Sequence, residues 1–460
     1  MKNDFLAGVI EGFYGPPWSL SERMELLEWM VVWKLNTYLY APKDDLNHRA
    51  TWRECYSTSD AERLRMLVRA CGERGIRFIY ALSPGLDVRY SHSDELDRVI
   101  ARFEQLLALG CGDFALLFDD IPDQIHEEDR QQWGSFATAQ CQLTNAVFRW
   151  VRTRRPAVRF MFCPTAYCGR MRKAQLGGAG YLETVGRELS SEIDVFWTGP
   201  DIVSREISVT HLREIQGLLR RKPLIWDNLF ANDYDGRRFY CGPYSGRSPE
   251  LRSELSGILC NPNTEFPLNF VPLRTFASYL QNEVNWDARA AYVAAMSEWL
   301  PRFTTIRGPA SLETLQLLGD CYYLPHEEGP EAEKLFDLAL GLLSRDPREW
   351  SESEERFCKE AVRLREFCAS LANLLDRQLF YALHRRVWEL REELDLLLGY
   401  VQAMKDADLH YRSDYHLPGT HRGGFVARLQ RLLTFRSDGA FESAFLPAAP
   451  TSSIISRSDS

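Results

Sequence analysis

Two adjacent carboxylates, Asp119 and Asp120, follow the apolar run FALLF and are the sharpest chemical feature of the sequence. When two carboxylates are held close together, their repulsion raises the pKa of one, so one can stay protonated while the other is ionised. Glycoside hydrolysis uses such a pair, a proton donor for the leaving oxygen and a second group that stabilises the intermediate. Two other interpretations stay open: a helix N-cap followed by a solvated aspartate, and a metal-binding pair.

Polar residues also follow the other strand-like runs of the sequence. A lysine at the end of an apolar run, Lys43, is costly unless it is paired or faces a ligand, although Asp44 and Asp45 are ordinary candidate partners. The remaining polar run ends are Ser83, Tyr167, Thr198, Asp227, Asn228, Asn261 and Asn263. If these ends meet at one rim, they form a polar pocket.

Aromatic residues near these run ends fit a sugar site. Rings stack on the face of a pyranose, while Asn and Asp side chains bind its hydroxyl groups. Packing inside the fold is the alternative for each ring taken singly. The candidates are Tyr14, Trp18, Tyr167, Trp197 and Trp226.

Strand-like runs alternate with helical patterns over the first part of the chain. The runs are 5–13, 36–42, 76–84, 113–120, 159–167, 193–200, 223–229 and 256–263. This alternation implies a parallel sheet with crossovers, and eight repeats over roughly 280 residues predict a (β/α)8 TIM barrel. Ser19 is the expected N-cap of the first helix. A doubly wound open sheet is the main alternative, but no GxGxxG follows the first run.

The residue pattern changes near residue 285, and beyond it charged and apolar residues recur at helical spacing. We therefore predict a (β/α)8 catalytic domain at 1–284, an α-helical bundle domain at 285–437 and a flexible tail at 438–460.

Composition limits the classes of partner. The formal net charge is −9 and no Lys/Arg run dominates, which argues against a nucleic-acid partner. No signal peptide or membrane span is expected. Eleven cysteines, an odd number, predict free thiols in a reducing cytoplasm. Cys163 and Cys168 lack the companions of a zinc site, and neither a metal nor an organic cofactor is expected.

Several long motifs carry a family resemblance. In chain order they are GVIEGFYGPPWS, YAPKDDLNHR, SPGLD, LLFDD, CPTAYCG, FWTGP, WDNLFANDYDGRRFYCGPYSGR and NPNTEFPLNF. Together they resemble the catalytic domain of the O-GlcNAcase family, the retaining β-N-acetylglucosaminidases of glycoside hydrolase family 84. The resemblance spans residues 5–283, and the helical region that follows resembles the family's helical domain less specifically.

The resemblance implies substrate-assisted catalysis, in which the 2-acetamido oxygen of the substrate attacks the anomeric carbon and forms an oxazoline. It implies that Asp119 orients and polarises the acetamide N–H, and that Asp120 protonates the leaving oxygen and then acts as base on water. On the acetamide side, Tyr167 would bind the oxygen that forms the oxazoline. Trp226 would wall the N-acetyl pocket, and Asn228 would support the acetamide.

The resemblance assigns other residues to the sugar hydroxyls. Gly8 would contact one through its backbone, Lys43 would reach another, and Asp233 with Asn261 would hold the O4 and O6 side. The sequence departs from the family's pattern at Ala166, where relatives often carry glutamate, and this puts the outer pocket in doubt.

Glu11, in the first of these motifs, is expected to support the barrel mouth and not to act as the catalytic acid. The implied substrate is a glycoprotein, glycopeptide or glycan that bears N-acetylglucosamine. Two alternatives stay open, an endo-acting hydrolase of the hyaluronidase or chitinase type and a non-catalytic glycan-binding module. The oligomeric state is also open, with a dimer through the helical region as one alternative.

Overall fold

The computed structural model describes residues 5–282, 286–343, 345, 347–406, 433–435 and 441–443. Eight parallel strands close into a barrel, because β1 pairs with both β2 and β8. The strands are β1 Leu6–Glu11, β2 Thr37–Tyr40, β3 Arg77–Leu82, β4 Asp113–Leu117, β5 Phe160–Cys163, β6 Ile193–Trp197, β7 Leu224–Asp227 and β8 Gly257–Cys260. Each strand lies inside one of the predicted runs, so the predicted barrel is confirmed.

Helices follow most of the strands and continue beyond the barrel. Those that accompany the barrel are α1 Leu20–Val32, α2 Thr58–Glu73, α3 Ser93–Ala108, α4 Glu127–Trp133, α5 Phe136–Arg154, α6 Gly169–Lys173, α7 Tyr181–Glu188, α8 Val209–Leu219 and α9 Phe270–Gln281. The later ones are α10 Ala288–Trp299, α11 Leu312–Asp320, α12 Pro330–Leu343, α13 Ser351–Ser370 and α14 Arg377–Lys405. The prediction that helices follow the barrel is confirmed.

Short 3₁₀ helices and one more strand pair complete the described elements. The 3₁₀ helices are Pro249–Glu254, Phe266–Asn269, Leu300–Phe303, Pro347–Glu349 and Leu371–Asn373. The strands β9 Leu433–Phe435 and β10 Phe441–Ser443 pair antiparallel.

Local sequence explains how the barrel elements form. The Ser19 side chain accepts from the backbone N–H of Glu22 while the Glu22 carboxylate accepts from the Ser19 N–H, so the predicted N-cap is confirmed as a capping box. The strands are apolar on both faces, as expected for parallel strands covered by helices. Ile10, Leu39 and Ile79 belong to the buried cluster that fills the barrel.

Contacts divide the chain into two compact units: residues 1–334 with 373–383, and residues 335–372 with 384–460. The first unit contains the barrel together with α10 and α11, and the second contains α13. The domain boundary predicted between residues 284 and 285 lies outside the described residues, as does the 437/438 boundary and most of the predicted tail. These limits stay predictions. None of the described helices combines the length and the apolar character needed to cross a bilayer.

Candidate active site

A cavity of about 290 Å³ opens at the carboxyl ends of the barrel strands. This is the end at which (β/α)8 barrels carry their active sites. The residues assigned from sequence that line it are Lys43, Asp119, Asp120, Tyr167, Trp226, Asn228, Asp233 and Asn261. The barrel therefore brings together residues from five separate motifs of the chain.

Asp119 follows β4 and is almost fully buried. The Lys43 Nζ donates to its Oδ2 at 2.5 Å, whereas its Oδ1 has no hydrogen-bond partner among the described residues. Burial acts to raise the pKa of Asp119, but the charges of Lys43 and Arg49 outweigh burial and lower this pKa below its usual value. Burial acts to lower the pKa of Lys43, yet Asp119 and Asp120 raise it overall. Asp119 is therefore an ionised carboxylate with one buried oxygen that lacks a hydrogen-bond partner among the described residues.

Asp120 is more exposed than Asp119 and accepts hydrogen bonds from two tyrosines. The Tyr167 hydroxyl donates to its Oδ1 at 2.7 Å, and the Tyr14 hydroxyl donates to its Oδ2 at 3.0 Å. The backbone φ of Asp120 is 52°, in the left-handed region that few non-glycine residues adopt. Such strained residues cluster at active sites, where the surrounding structure holds them in place. The two neighbouring aspartates thus have different environments, one paired with a lysine and the other bound by two tyrosines.

An indole face and a pair of amides line the cavity near the ends of β7 and β8. The Trp226 ring centroid lies 5.6 Å from the Lys43 Nζ. The Asn261 Nδ2 donates to the Asn228 Oδ1 at 2.9 Å, and the Asn228 Nδ2 donates to the backbone oxygen of Ile202 at 2.9 Å. The Asn261 Oδ1 is buried and has no hydrogen-bond partner among the described residues. The amides are therefore fixed in orientation, with one buried acceptor that has no partner among the described residues.

Asp233 lies on the loop after β7 and connects this loop to the one after β1. Its Oδ2 accepts from the backbone N–H of Tyr14 at 2.9 Å. Burial raises the pKa of Asp233, and the charge of Asp120 adds to the rise, while the Tyr14 N–H opposes it. A third carboxylate thus faces the aspartate pair from another loop of the mouth.

Comparison with known proteins decides the family. A family model described as NAGidase, beta-N-acetylglucosaminidase, matches residues 7–311. The chain belongs to the O-GlcNAcase family of β-N-acetylglucosaminidases. The resemblance inferred from the motifs is therefore confirmed.

The comparisons with individual relatives agree with this family. The chain is 46% identical over 281 residues to the Protein O-GlcNAcase of Rattus norvegicus and to that of Mus musculus. The match covers 61% of this chain but 30% of the length of each of these relatives. The structure is similar to that of a mutant O-GlcNAc hydrolase of Thermobaculum terrenum, with a TM-score of 0.79 and 31% identity. This match covers 88% of this chain and 85% of that chain.

Gly8 is the one assigned residue that does not line this cavity. It lies inside β1, where a Cβ would come within 1.7 Å of the backbone oxygen of Thr37 in β2. A glycine is required there because two barrel strands approach closely. Gly12, just beyond the end of β1, lines the cavity instead. The structure thus places Gly8 in the barrel wall and not among the residues that line the cavity, and its expected ligand contact stays a prediction.

The aromatic candidates separate into two groups in the barrel. Those that line the cavity are Tyr14, Tyr167 and Trp226. Trp18 is buried edge-on against Phe266, and Trp197 is buried with its Nε1 donating to the His211 Nε2 at 3.0 Å. The packing alternative therefore holds for Trp18 and Trp197.

Glu11 and Asp227 are buried carboxylates that build the barrel mouth. Glu11 accepts from the Arg23 Nε at 2.8 Å, from the Arg23 Nη2 at 2.7 Å and from the Tyr38 hydroxyl. Asp227 accepts from the Arg247 Nε at 2.8 Å and Nη2 at 2.7 Å. The expectation that Glu11 supports the mouth agrees with these contacts.

Sequence reasoning missed several residues of the site. Ile202 and Val203, on the loop after β6, give the cavity an apolar side, and Arg49 contacts Asp120 from the loop after β2. Arg49 closes the quoted motif YAPKDDLNHR, but the path of a long loop is not encoded in a short-range pattern. Within the described part of the chain, no group of three or more His, Cys, Asp or Glu side chains is arranged to hold a metal ion.

Proposed function

We propose that the chain is a retaining exo-β-N-acetylglucosaminidase that works by substrate-assisted catalysis through an oxazoline intermediate. The observation that supports this most directly is the environment of Asp119. Its carboxylate is ionised and paired with Lys43 on one oxygen, and its other oxygen is buried without a hydrogen-bond partner among the described residues. Such an oxygen suits the N–H of a 2-acetamido group, because positive charge develops on that nitrogen in the transition state.

In the first step, the acetamide oxygen of the bound sugar forms a bond to the anomeric carbon while the bond to the leaving oxygen breaks. The Asp119 Oδ1 accepts a hydrogen bond from the acetamide N–H, and Asp120 gives its proton to the leaving oxygen. The nucleophile belongs to the substrate, so its effective concentration is high without an attacking protein side chain.

In the second step, water attacks the anomeric carbon from the face that the leaving group vacated. Asp120 takes a proton from this water, the bond to the acetamide oxygen breaks, and the acetamide is restored. Two inversions at the anomeric carbon give net retention, as in other glycosidases that use one residue first as acid and then as base.

The other lining residues bind the sugar in this proposal. Trp226 walls the N-acetyl pocket, Asn228 supports the acetamide, and Asp233 with Asn261 holds the O4 and O6 side. Lys43 donates to a sugar hydroxyl in addition to its bond with Asp119. Tyr167 donates to Asp120 in this structure, so its proposed bond to the acetamide oxygen requires its hydroxyl to turn toward the substrate.

The proposed substrate is N-acetylglucosamine linked to Ser or Thr of a glycoprotein, or terminal on a glycan. The names of the rodent and Thermobaculum relatives support the protein-linked sugar. The cytoplasmic location stays a prediction that rests on the eleven cysteines. The proposal includes no metal or organic cofactor, and no nucleic-acid or membrane partner.

The test is hydrolysis of an aryl β-N-acetylglucosaminide compared with the matching aryl β-glucoside, in the presence of a chelator. We expect release from the first and almost none from the second, because the glucoside lacks the acetamide. Asp119→Asn is expected to reduce kcat by about 10²- to 10³-fold. The exposed helical Asp97 provides the matched control, and Asp97→Asn is expected to leave kcat unchanged. Equal rates on both glycosides would contradict the proposal.

A peptide that carries O-linked N-acetylglucosamine on serine tests the substrate class. We expect the chain to release the sugar from this peptide. Release from a chitin oligosaccharide, but none from the glycopeptide, would assign the chain to glycan substrates and overturn the protein-linked part of the proposal.

A further inference from the structure

Arg49 is a buried cation whose side chain contacts the backbone of the proposed acid. It lies on the loop after β2 and is 8% exposed. Its Nη2 donates to the backbone oxygen of Asp120 at 2.6 Å. Its Nη1 donates to the Tyr14 hydroxyl, which itself donates to the Asp120 Oδ2. One guanidinium therefore reaches Asp120 by two routes, one through its main chain and one toward its carboxylate.

The partners of Arg49 are unusual for a buried arginine. Among the described residues, no carboxylate lies within ion-pair distance of its guanidinium, and its Nε has no hydrogen-bond partner. Burying a cation without a direct ion pair is costly, so its hydrogen bonds and the nearby charge of Asp119 must offset that cost. The Tyr14 ring, with its centroid 5.5 Å from the Arg49 Cζ, adds a cation–π contact. The guanidinium is thus held by the same two residues that it orients.

The backbone of Asp120 is where this contact has most effect. The left-handed conformation at Asp120, with φ at 52°, is unfavourable for a residue that carries a Cβ. The Arg49 bond to the Asp120 carbonyl fixes the peptide plane that follows this residue. A change in that plane would redirect the Asp120 side chain away from the position that the leaving oxygen requires.

Arg49 is itself held by a well-anchored loop. The neighbouring His48 accepts from the Ser83 backbone N–H at 3.0 Å through its own backbone oxygen. The His48 Nδ1 lies 2.8 Å from the backbone oxygen of Ala81. Both the backbone and the ring of His48 therefore fix this loop to the end of β3. Arg49 therefore projects from a rigid base, as a positioning residue requires.

The two cations near the aspartate pair act on different atoms. Lys43 pairs directly with the carboxylate of Asp119, which favours its ionised form. Arg49 binds the backbone oxygen of Asp120 and not its carboxylate, so it orients the residue without forming an ion pair with it. This difference fits a residue that must carry a proton in one step and accept one in the next.

We propose that Arg49 is a positioning residue that holds Asp120 in its left-handed conformation and, through Tyr14, aims its carboxylate at the leaving oxygen. The inference rests on the proposed function, because it concerns proton transfer to the leaving group. The planar fork of arginine makes both contacts at once, and a lysine at this position cannot do so.

The test uses two aryl β-N-acetylglucosaminides that differ in their need for a proton. A dinitrophenolate leaves without protonation, whereas an unactivated phenyl leaving group depends on the acid. For Arg49→Lys we expect kcat on the phenyl substrate to fall about 10- to 100-fold, as a displaced acid predicts. On the dinitrophenyl substrate we expect kcat to stay within about 3-fold, because proton transfer contributes little there. KM is expected to change little for either substrate.

Controls separate the inference from a general loss of structure. Arg53→Lys changes the same residue type on the same loop, where Arg53 pairs with Asp87 and Glu95, and is expected to affect both substrates equally and weakly. Tyr14→Phe removes one of the two routes and is expected to reproduce the Arg49→Lys pattern to a smaller extent. It also provides the test if Arg49→Lys does not fold.

The outcomes distinguish the two levels of the proposal. Equal losses of kcat on both substrates, or a loss confined to KM, would overturn the positioning role while leaving the proposed function intact. If the unmutated chain hydrolyses neither N-acetylglucosaminide, the proposed function itself fails, and the positioning role fails with it.

Discussion

The Nζ of Lys43 lies 2.5 Å from the Oδ2 of Asp119, in a position where both side chains are almost completely buried. A buried ion pair requires both partners, because removing one leaves the other as an uncompensated charge. Here the pair also has a chemical consequence. It holds Asp119 ionised and leaves its Oδ1 without a hydrogen-bond partner among the described residues.

The first prediction concerns the acid side of the pH profile. In Lys43→Met, burial of Asp119 is no longer offset by the lysine charge, so the pKa of Asp119 rises. Because Asp119 must be ionised, activity is lost as pH falls through its pKa. The acid limb of kcat/KM is therefore expected to move to higher pH, with a lower plateau as well. The measurement is kcat/KM against pH for an aryl β-N-acetylglucosaminide.

Lys43→Arg is the matched control for this prediction, since it keeps a positive charge near Asp119. Its acid limb is expected to stay closer to that of the unmutated chain, even if its plateau falls because the geometry differs. An acid limb that stays in place in Lys43→Met would show that Lys43 does not govern the ionisation of Asp119.

The second prediction concerns stability at the end of β7. The side chains of Asp227 and Arg247 are 0% and 1% exposed and share two hydrogen bonds. Asp227→Asn leaves the guanidinium buried without its counter-charge, and the free energy of unfolding is expected to fall by about 3–5 kcal/mol. Glu73→Gln, which breaks the exposed Arg69–Glu73 pair, is expected to leave the free energy of unfolding almost unchanged. Urea unfolding of both variants at neutral pH provides the measurement, and similar midpoints would contradict the account.

The third prediction separates a structural glycine from a ligand contact. Ala at position 8 would place a Cβ 1.7 Å from the Thr37 backbone oxygen, so β1 and β2 must separate. Gly8→Ala is therefore expected to lower the free energy of unfolding by about 3 kcal/mol or more, or to prevent folding. Gly217→Ala is the control, because a Cβ there meets nothing within 4 Å and the residue lies in α8. A stable Gly8→Ala variant with a raised KM would instead restore the ligand contact inferred from sequence.

The sequence was sufficient to predict the fold because the relevant signals are local. Each strand is a short apolar run, and each is followed by polar residues or by a capped helix such as the one that begins after Ser19. Eight such repeats determine a barrel, and the barrel places every strand end at one rim. The position of Asp119 and Asp120 in the cavity follows from these facts alone.

Other features of the site depend on contacts between distant segments and were beyond local reasoning. Nothing in the sequence around Gly8 distinguishes a close approach of two strands from a ligand contact, and Trp18 resembles a stacking ring until its buried neighbours are known. Arg49 contacts a residue 71 positions further along the chain. The pairing of Lys43 with Asp119, and not with Asp44 or Asp45, is likewise a property of the folded barrel.

The central claim is that the acetamide of the substrate is the nucleophile, and one series of substrates tests it most directly. Aryl β-glycosides are prepared in which fluorine progressively replaces the hydrogens of the 2-acetamido methyl group. Each fluorine withdraws electron density from the acetamide oxygen, so the account predicts that kcat/KM falls steeply with every replacement. Inhibition constants of the matching free sugars check that the pocket still binds the larger group. A kcat/KM that stays level across the series, while binding is retained, would contradict the account and indicate an attacking side chain of the enzyme.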